Sequence, residues 1–240
     1  MGKTFMMPSD LAKYFDHTLL NPTASKDQII KLCAEAVHYE FYSVCVNPIW
    51  VETCSKLLKS KDVKVCSVVG FPFGASNISS LTHETIAALN DGADEIDMVA
   101  NPGLLFTRKK TEVNEYFRRI ETLTNLVHKY SQNNKKILKV IIESELLSDE
   151  DIRFVCNTCR EIGIDFVKTS TGYAPIENKG ATEHAVALIK SLSKDTYKVK
   201  ASGGIKTLGD ALTMIRAGAN RIGASSSVNI IKEFTKSVTG

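Results

Sequence analysis

The sequence predicts an α/β protein that folds as a single-domain (β/α)8 barrel, a TIM barrel, over residues 1–240. Short β-rich runs alternate with helical stretches from one end of the chain to the other, as parallel βα units require. Eight such units in 240 residues lie near the small end of this fold's size range. No linker, low-complexity stretch or charge run interrupts the series, so one domain is preferred to two.

The predicted strands are short runs rich in apolar and β-branched residues. They cover about 16–20, 42–46, 64–69, 94–99, 137–143, 164–169, 197–202 and 220–223. An open doubly wound sheet is the alternative architecture, but no G-x-G-x-x-G motif follows the first strand to support it.

The predicted helices follow the strands, and a short N-terminal helix is expected within residues 8–14. The main helices cover about 25–39, 48–59, 78–91, 112–131, 148–162, 180–194, 207–217 and 225–236. Residues of the type that cap helix N-termini are Ser25, Asn47, Ser148, Thr207 and Ser225. Glycines expected in the left-handed conformation after a helix are Gly92, Gly163 and Gly218.

Composition limits the class of protein. Hydrophobic content of 43% and charge of 24% are ordinary for a globular protein, and a net charge of +3 is too small to indicate nucleic acid or an acidic membrane surface. No apolar run is long enough for a membrane span, and residues 1–5 lack the apolar region of a signal peptide. We therefore predict a cytoplasmic protein whose six cysteines, the C-x-x-C pair at Cys156 and Cys159 included, are reduced and buried.

Two lysines lie near the ends of predicted strands six and seven. Lys168 shares a strand face with Phe166 and is followed by Thr169, and Lys200 recurs 32 residues later in the same kind of strand. If both ammonium groups enter the barrel mouth about 4 Å apart, an effective dielectric constant near 20 gives a repulsion of ~4 kcal/mol. Such repulsion lowers one lysine pKa by roughly 3 units, and a neutral lysine can attack a carbonyl to form a Schiff base. The alternative is an edge-strand lysine that simply reaches water.

Two aspartates share the inward parity of their strands. Asp97 on strand four is placed to move protons during imine formation, directly or through one water, or to form a structural salt bridge with the lysines. Asp16 on strand one is a second candidate, with a structural hydrogen-bonding role as the alternative. The five histidines show no metal-ligand spacing, so neither a metal nor a cofactor is expected.

Small residues follow predicted strands six, seven and eight, where this fold commonly binds phosphate. They are Gly172, Ser202, Gly203, Gly204, Gly223, Ser225 and Ser226. Glycine lets backbone N–H groups approach an anion closely, and serine hydroxyls add donors. The alternative is that Ser225 only caps its helix and that the glycines only turn the chain.

Eight motifs, in order and spread over about residues 10–236, resemble those of the deoxyribose-phosphate aldolase family. They are residues 16–20 (DHTLL), 45–48 (CVNP), 70–72 (GFP), 93–99 (ADEIDMV), 139–143 (KVIIE), 166–172 (FVKTSTG), 200–205 (KASGGI) and 223–226 (GASS).

The resemblance implies a metal-independent class I aldolase that reversibly cleaves 2-deoxy-D-ribose 5-phosphate to D-glyceraldehyde 3-phosphate and acetaldehyde. It implies that Lys168 forms the Schiff base, that Asp97 is the proton donor and acceptor, and that Lys200 is the second catalytic lysine. Substrate-binding positions implied in the same way are Asp16, Thr18, Cys45, Thr169, Gly172, Gly203, Gly204, Gly223, Ser225 and Ser226. The expected partners are the sugar phosphate and acetaldehyde, not nucleic acid or membrane, with a homodimer left open.

Three features depart from the family pattern. Asn21 and Tyr173 stand where many or some relatives carry a basic residue, which would weaken phosphate binding unless Lys206 compensates. No tyrosine follows Tyr197, so a contribution of a C-terminal tail to proton transfer is in doubt. A transaldolase-like Schiff-base enzyme and a non-catalytic sugar-phosphate-binding protein are the alternative functions.

Overall fold

Eight parallel strands close into a barrel in the computed structural model, which describes residues 6–131, 134–177 and 180–239. Each strand pairs with the next along the chain, and β8 pairs with β1. The strands are β1 Phe15–Leu19, β2 Ser43–Val46, β3 Lys64–Val69, β4 Glu95–Val99, β5 Ile137–Ile141, β6 Phe166–Lys168, β7 Lys198–Ser202 and β8 Arg221–Ala224. The predicted (β/α)8 fold is confirmed, whereas the opening residues 1–5 lie outside the described part of the chain.

Helices lie between the strands and outside the barrel. They are α1 Pro8–Ala12, α2 Lys26–His38, α3 Val51–Leu58, α4 Ile78–Asn90, α5 Pro102–Phe106, α6 Lys110–Lys129, α7 Asp149–Ile162, α8 Glu183–Ser193, α9 Leu208–Arg216 and α10 Ser227–Thr239. The expected N-terminal helix is α1, which packs against α10. Helix α5 and the 3-10 turns Pro48–Trp50 and Ser144–Leu146 were not predicted.

Three of the five predicted helix caps are confirmed by their hydrogen bonds. The side chains of Ser25, Ser148 and Thr207 each accept from a backbone N–H in the first turn of α2, α7 and α9, as capping requires. Gly163 ends α7 in the left-handed conformation, at φ 82°. Gly92 and Gly218 also have positive φ, one residue beyond the last capping position of α4 and α9.

Two predicted caps differ in the structure. Asn47 is the N-terminal capping residue of the 3-10 turn Pro48–Trp50, but its side chain donates to the Leu20 carbonyl of the neighbouring loop and forms no capping hydrogen bond, and α3 begins only at Val51. Ser225 is not at the start of α10 either, because the hydrogen bond from Ile230 N–H to the Ser226 carbonyl makes Ser226 the capping position.

Strand alternation divides the molecule into an outer apolar core and a polar barrel interior. Outward-facing residues such as Val167 and Val199 join one hydrophobic cluster with the helices. The inward-facing charged residues are nearly or fully buried: Asp16, Glu95, Asp97, Lys139, Lys168, Lys200 and Arg221. A small apolar cluster of Cys45, Cys66 and Val68, with Leu20 and Phe71 against it, also lies inside the barrel.

All six cysteines are buried free thiols, as predicted. Among the described helices, none combines the length and the apolar character needed to cross a bilayer.

The loops after β6 and β7 interlock at two glycines. A Cβ atom built on Gly180 would lie 2.3 Å from the Gly203 carbonyl oxygen, and Gly180 has φ +128°, which L side chains rarely adopt. Backbone atoms cannot swing aside as a side chain does, so only glycine fits this crossing.

Replacing Gly180 by alanine should therefore lower the free energy of unfolding by about 1–3 kcal/mol, the usual cost of a strained backbone. Urea unfolding measures this loss. Gly209→Ala is the matched control, because its nearest atom lies 3.7 Å away and it sits in α9, where alanine is favoured. Equal stabilities for the two variants would show that the loops do not interlock at Gly180.

Candidate active site

A cavity of about 430 Å³ opens among the loops after β1, β6, β7 and β8. This is the carboxyl end of the barrel, where enzymes of this fold place their active sites. The sequence-predicted residues that line it are Thr18, Lys168, Gly203, Gly204, Gly223, Ser225 and Ser226. The predicted residues Asp16, Cys45, Asp97, Thr169 and Lys200 are fully buried and not among those lining it.

One carboxylate joins the two predicted lysines. Asp97 Oδ2 accepts hydrogen bonds from Lys168 Nζ at 2.9 Å and from Lys200 Nζ at 2.7 Å. Lys168 and Lys200 are register partners on neighbouring strands, which brings their side chains together in the barrel. The two amino groups are therefore neighbours, as the sequence predicts, but with the Asp97 carboxylate between them.

Lys139 is a third lysine at this carboxylate, and sequence reasoning assigned it no role. Its Nζ donates to Asp97 Oδ1 at 2.8 Å and lies 2.5 Å from Glu95 Oε2. Lys139 occupies β5 between the outward-facing Leu138 and Val140. This is the pattern that singled out Lys168 and Lys200, so the same parity rule would have found Lys139.

An arginine completes the buried charge network. Arg221 on β8 donates to both Asp16 and Glu95. Asp16 Oδ2 in turn lies 2.5 Å from Lys200 Nζ, and Ser43 Oγ donates to Asp16 Oδ1 at 2.7 Å. Asp16 therefore links Arg221 to Lys200 and is fully buried.

The network fixes the charge of most of its members. Burial alone would raise the pKa of the Asp97 carboxyl, but Lys139, Lys168 and Lys200 hold it well below its usual range. Burial would lower the pKa of Lys200, yet Asp16 and Asp97 raise it, and the same opposition raises the pKa of Lys139. Asp97 is thus a carboxylate, and Lys139 and Lys200 are ammonium groups, near neutral pH.

Lys168 differs from the other basic side chains of the network in its position. Three carboxylic residues (Asp16, Glu95 and Asp97) face four basic side chains (Lys139, Lys168, Lys200 and Arg221). The network therefore holds one basic side chain more than it holds carboxylic residues. Lys168 is also the lysine of the network that reaches the cavity wall. The arrangement therefore presents one lysine of the network to the cavity, with Asp97 and Lys200 in hydrogen-bonded contact behind it.

The small residues after β7 and β8 that line the cavity are Gly203, Gly204, Gly223, Ser225 and Ser226, which we call the cradle. Gly203 and Gly204 both have positive φ, at 82° and 76°. A Cβ on Gly223 would lie 3.1 Å from both Lys200 Cε and Ser202 Cβ, so glycine leaves room for the Lys200 side chain. Ser226 precedes α10, whose first N–H groups lack helical acceptors and attract anions.

Gly172 supports the cradle from behind. It is not one of the residues lining the cavity, but it has φ +82°, and a Cβ there would lie 3.8 Å from Gly203 Cα. Asn21, Tyr173 and Lys206, which bear on the departures from the family pattern, all line the cavity.

Two glutamates hold the loop after β6. Glu143 accepts from the Thr171 N–H at 2.7 Å and from the Thr171 hydroxyl at 2.6 Å. Glu145 accepts from Ser170 Oγ and from Gly180 N, at 2.7 and 2.9 Å. The loop is therefore fixed at both of its ends, which holds Gly172 behind the cradle.

Three potential metal-ligand atoms, from Cys45, Cys66 and Asp97, lie within 4.8 Å of one another. These residues do not suit a cation. Both oxygens of Asp97 already accept from lysines, and Lys139 Nζ lies 3.3 Å from Cys66 Sγ. A divalent cation would compete with the three lysine side chains that already bind Asp97.

Comparisons with known proteins place the chain in a family. The family model described as DeoC/LacD family aldolase matches residues 11–233. The chain is 49% identical to the deoxyribose-phosphate aldolase of Clostridium kluyveri, across 95% of this chain and 100% of that protein. It is 44% identical to the enzyme of that name from Caldanaerobacter subterraneus subsp. tengcongensis, across 96% of each.

Solved structures agree with the sequence comparison. A tetrameric deoxyribose phosphate aldolase from Aeropyrum pernix superimposes with a TM-score of 0.85 at 34% identity, covering 95% of this chain and 92% of that one. Fold and sequence thus agree along nearly the whole chain, which therefore belongs to the DeoC/LacD family of aldolases.

Proposed function

We propose that this protein reversibly cleaves 2-deoxy-D-ribose 5-phosphate to D-glyceraldehyde 3-phosphate and acetaldehyde, with Lys168 as the Schiff-base lysine. One observation carries the proposal. Lys168 lines the cavity while its Nζ shares Asp97 Oδ2 with Lys200, so a nucleophile and its proton relay meet where a sugar carbonyl can enter. We infer the substrate from the relatives, which are named deoxyribose-phosphate aldolases.

The reaction follows from an amine at this position. Lys168 Nζ attacks the C1 aldehyde of the open-chain sugar, and loss of water gives a protonated imine. The 3-hydroxyl then loses its proton and the C2–C3 bond breaks. The electron pair of that bond moves toward the imine and forms an enamine. Glyceraldehyde 3-phosphate leaves, the enamine takes a proton at C2, and water releases acetaldehyde from Lys168.

Asp97 and Lys200 serve the proton transfers in this scheme. Asp97 Oδ2 is within hydrogen-bond distance of both amines, so a proton can pass between them over one oxygen or through one water. Because Asp97 is held as a carboxylate, it carries a proton only transiently. Lys139 on the other oxygen keeps Asp97 oriented and is a positioning residue.

The cradle would hold the 5-phosphate at the opposite side of the cavity. Gly203, Gly204, Ser225 and Ser226 line that side, and Lys206 adds a cation. We propose that Lys206 supplies the charge that Asn21 and Tyr173 do not. The buried residues Asp16, Cys45 and Thr169 would act through their neighbours and not by touching the sugar.

The alternative functions differ in one measurable product. A transaldolase-like enzyme would form the same Schiff base but release a different fragment, and a non-catalytic sugar-phosphate sensor would release none. An assay of acetaldehyde release from 2-deoxyribose 5-phosphate tests the proposal against both alternatives. The acetaldehyde is measured through its coupled enzymatic reduction. No acetaldehyde from a folded protein would reject it.

The setting of the protein is also a proposal. We propose a cytoplasmic location, because six buried free thiols suit a reducing compartment. We propose a homodimer as its assembly, for which the exposed side chains of Ile49 and Phe73 offer apolar surface.

Covalent trapping tests the nucleophile. Borohydride reduction in the presence of acetaldehyde should leave a two-carbon adduct on the peptide that carries Lys168, because only this lysine of the network lines the cavity. Peptide mass spectrometry locates the adduct, and Lys168→Leu should show none. An adduct on Lys200, or an undiminished adduct in Lys168→Leu, would contradict the assignment.

A pH profile tests Lys200. Its pKa is raised, so it keeps a positive charge beside Lys168 and favours the neutral amine. Lys200→Leu removes that charge and leaves Asp97 less neutralised, and both changes make Lys168 hold its proton to higher pH.

The acid limb of the pH profile of kcat/KM should then shift to higher pH by about one unit or more. Each pKa unit corresponds to a free-energy difference of about 1.4 kcal/mol. Lys190→Leu is the control, since Lys190 pairs with Asp195 at the surface. An unchanged profile in Lys200→Leu would exclude the electrostatic role.

Charge reversal tests the cradle. Ser226→Glu sets a carboxylate against the phosphate dianion and should cost on the order of 2–4 kcal/mol in kcat/KM for deoxyribose 5-phosphate. Turnover of unphosphorylated 2-deoxyribose should change little, because that substrate does not use the cradle.

Ser237→Glu is the matched control, since it adds the same charge near the far end of α10. Equal losses for both substrates in Ser226→Glu would place the phosphate elsewhere.

A further inference from the structure

A second cavity opens at the amino ends of the strands, the end of the barrel opposite the lysines. Its volume is about 230 Å³, and it lies among residues that begin β5, β6, β7 and β8. The wall combines three aromatic rings with three cationic side chains: Tyr14, Tyr42, Phe166, Lys13, Lys198 and Arg221. The proposed aldolase reaction makes no use of this cavity.

The wall carries positive charge without a matching acid. None of the residues that line it is an aspartate or a glutamate. Lys13 and Lys198 are exposed, and neither has a carboxylate oxygen within 4.0 Å in the ranges that the structure describes. Arg221 is paired on its inner side by Asp16 and Glu95, so the two lysines provide the uncompensated charge.

The polar groups around the cavity are mainly donors. The side-chain Oδ1 of Asn220 accepts from the Val199 N–H at 3.0 Å, and its Nδ2 has no acceptor among the described residues. Lysine ammonium groups have no acceptor capacity at all. A wall that offers donors and positive charge selects an anion.

The size and rigidity of the cavity suit a small ligand. At ~30 Å³ per water, its volume corresponds to about eight waters, which is room for a compact anion. Two walls are fixed by cation–π contacts: the Arg221 guanidinium lies 3.4 Å from the Tyr42 ring centre, and Lys198 Nζ lies 6.0 Å from that of Phe166. The cavity is therefore largely preformed.

We propose that this lower cavity binds a small oxyanion, a phosphate or a carboxylate, between Lys13 and Lys198. The site is linked to the upper cavity by ion pairs. Arg221 in its wall holds Asp16, and Asp16 holds Lys200. An anion bound here adds negative charge to the end of the network that fixes the catalytic lysines.

Isothermal titration calorimetry of the full chain tests the site. The starting protein carries Ser226→Glu, so that the cradle of the proposed function does not bind the probes. Inorganic phosphate is titrated in one arm and malonate in the other. One anion should bind per chain, and the arm that gives heat identifies the phosphate or the carboxylate class.

Lys13→Gln with Lys198→Gln should weaken this binding at least tenfold. Lys61→Gln with Lys64→Gln is the matched control, because these lysines are exposed near the start of β3 but do not line the cavity, and it should change binding less than twofold. Binding of neither probe would overturn the proposal, as would equal binding after the Lys13 and Lys198 changes.

The same titration separates this site from the cradle. Phosphate that still binds without Lys13 and Lys198, and that deoxyribose 5-phosphate displaces, occupies the upper cavity. That result rejects the lower site. It also shows, separately, that Ser226→Glu does not prevent phosphate from binding in the cradle. Phosphate or malonate that deoxyribose 5-phosphate does not displace, and that needs both lysines, supports the lower site whatever the fate of the cradle.

Discussion

A single buried carboxylate, Asp97, holds the barrel interior together. Three lysines from β5, β6 and β7 donate to its two oxygens, at 2.7–2.9 Å. Each buried charge costs several kcal/mol unless it is paired and hydrogen-bonded, so no member of this set can be removed alone without stranding the others. The position of Lys168 at the cavity therefore depends on this network, which holds its Nζ at Asp97 Oδ2.

The division between the apolar shell and the polar interior explains how one barrel can be both stable and reactive. Outward residues such as Ile96 and Val140 pack against helices, where burial of apolar surface supplies the stability. The inward positions on the same strands, Glu95 and Lys139 among them, are then free to carry charge. Loops above the strands add the cradle without disturbing either layer.

Local rules predicted the fold and the three central residues from the sequence, because each depends on short-range patterns. Alternating strand faces point Lys168, Lys200 and Asp97 inward, and the repeated helix and strand order gives the barrel. The role of Arg221 and Glu95 depends on closure, since β8 must meet β1 before Arg221 can reach Asp16. Such long-range register is not visible in one strand.

Helix starts were less predictable for a similar reason. Asn47 has the residue type of a cap, but a neighbouring loop offers its side chain the Leu20 carbonyl, and tertiary structure decides which hydrogen bond forms.

The order of the charged residues along the chain has a further consequence. The network begins with Asp16 on β1 and ends with Arg221 on β8, so neither half of the barrel contains all of its charged residues. Truncation at either end would remove a charge from the centre, whereas a circular permutation that keeps all eight strands would retain every pair.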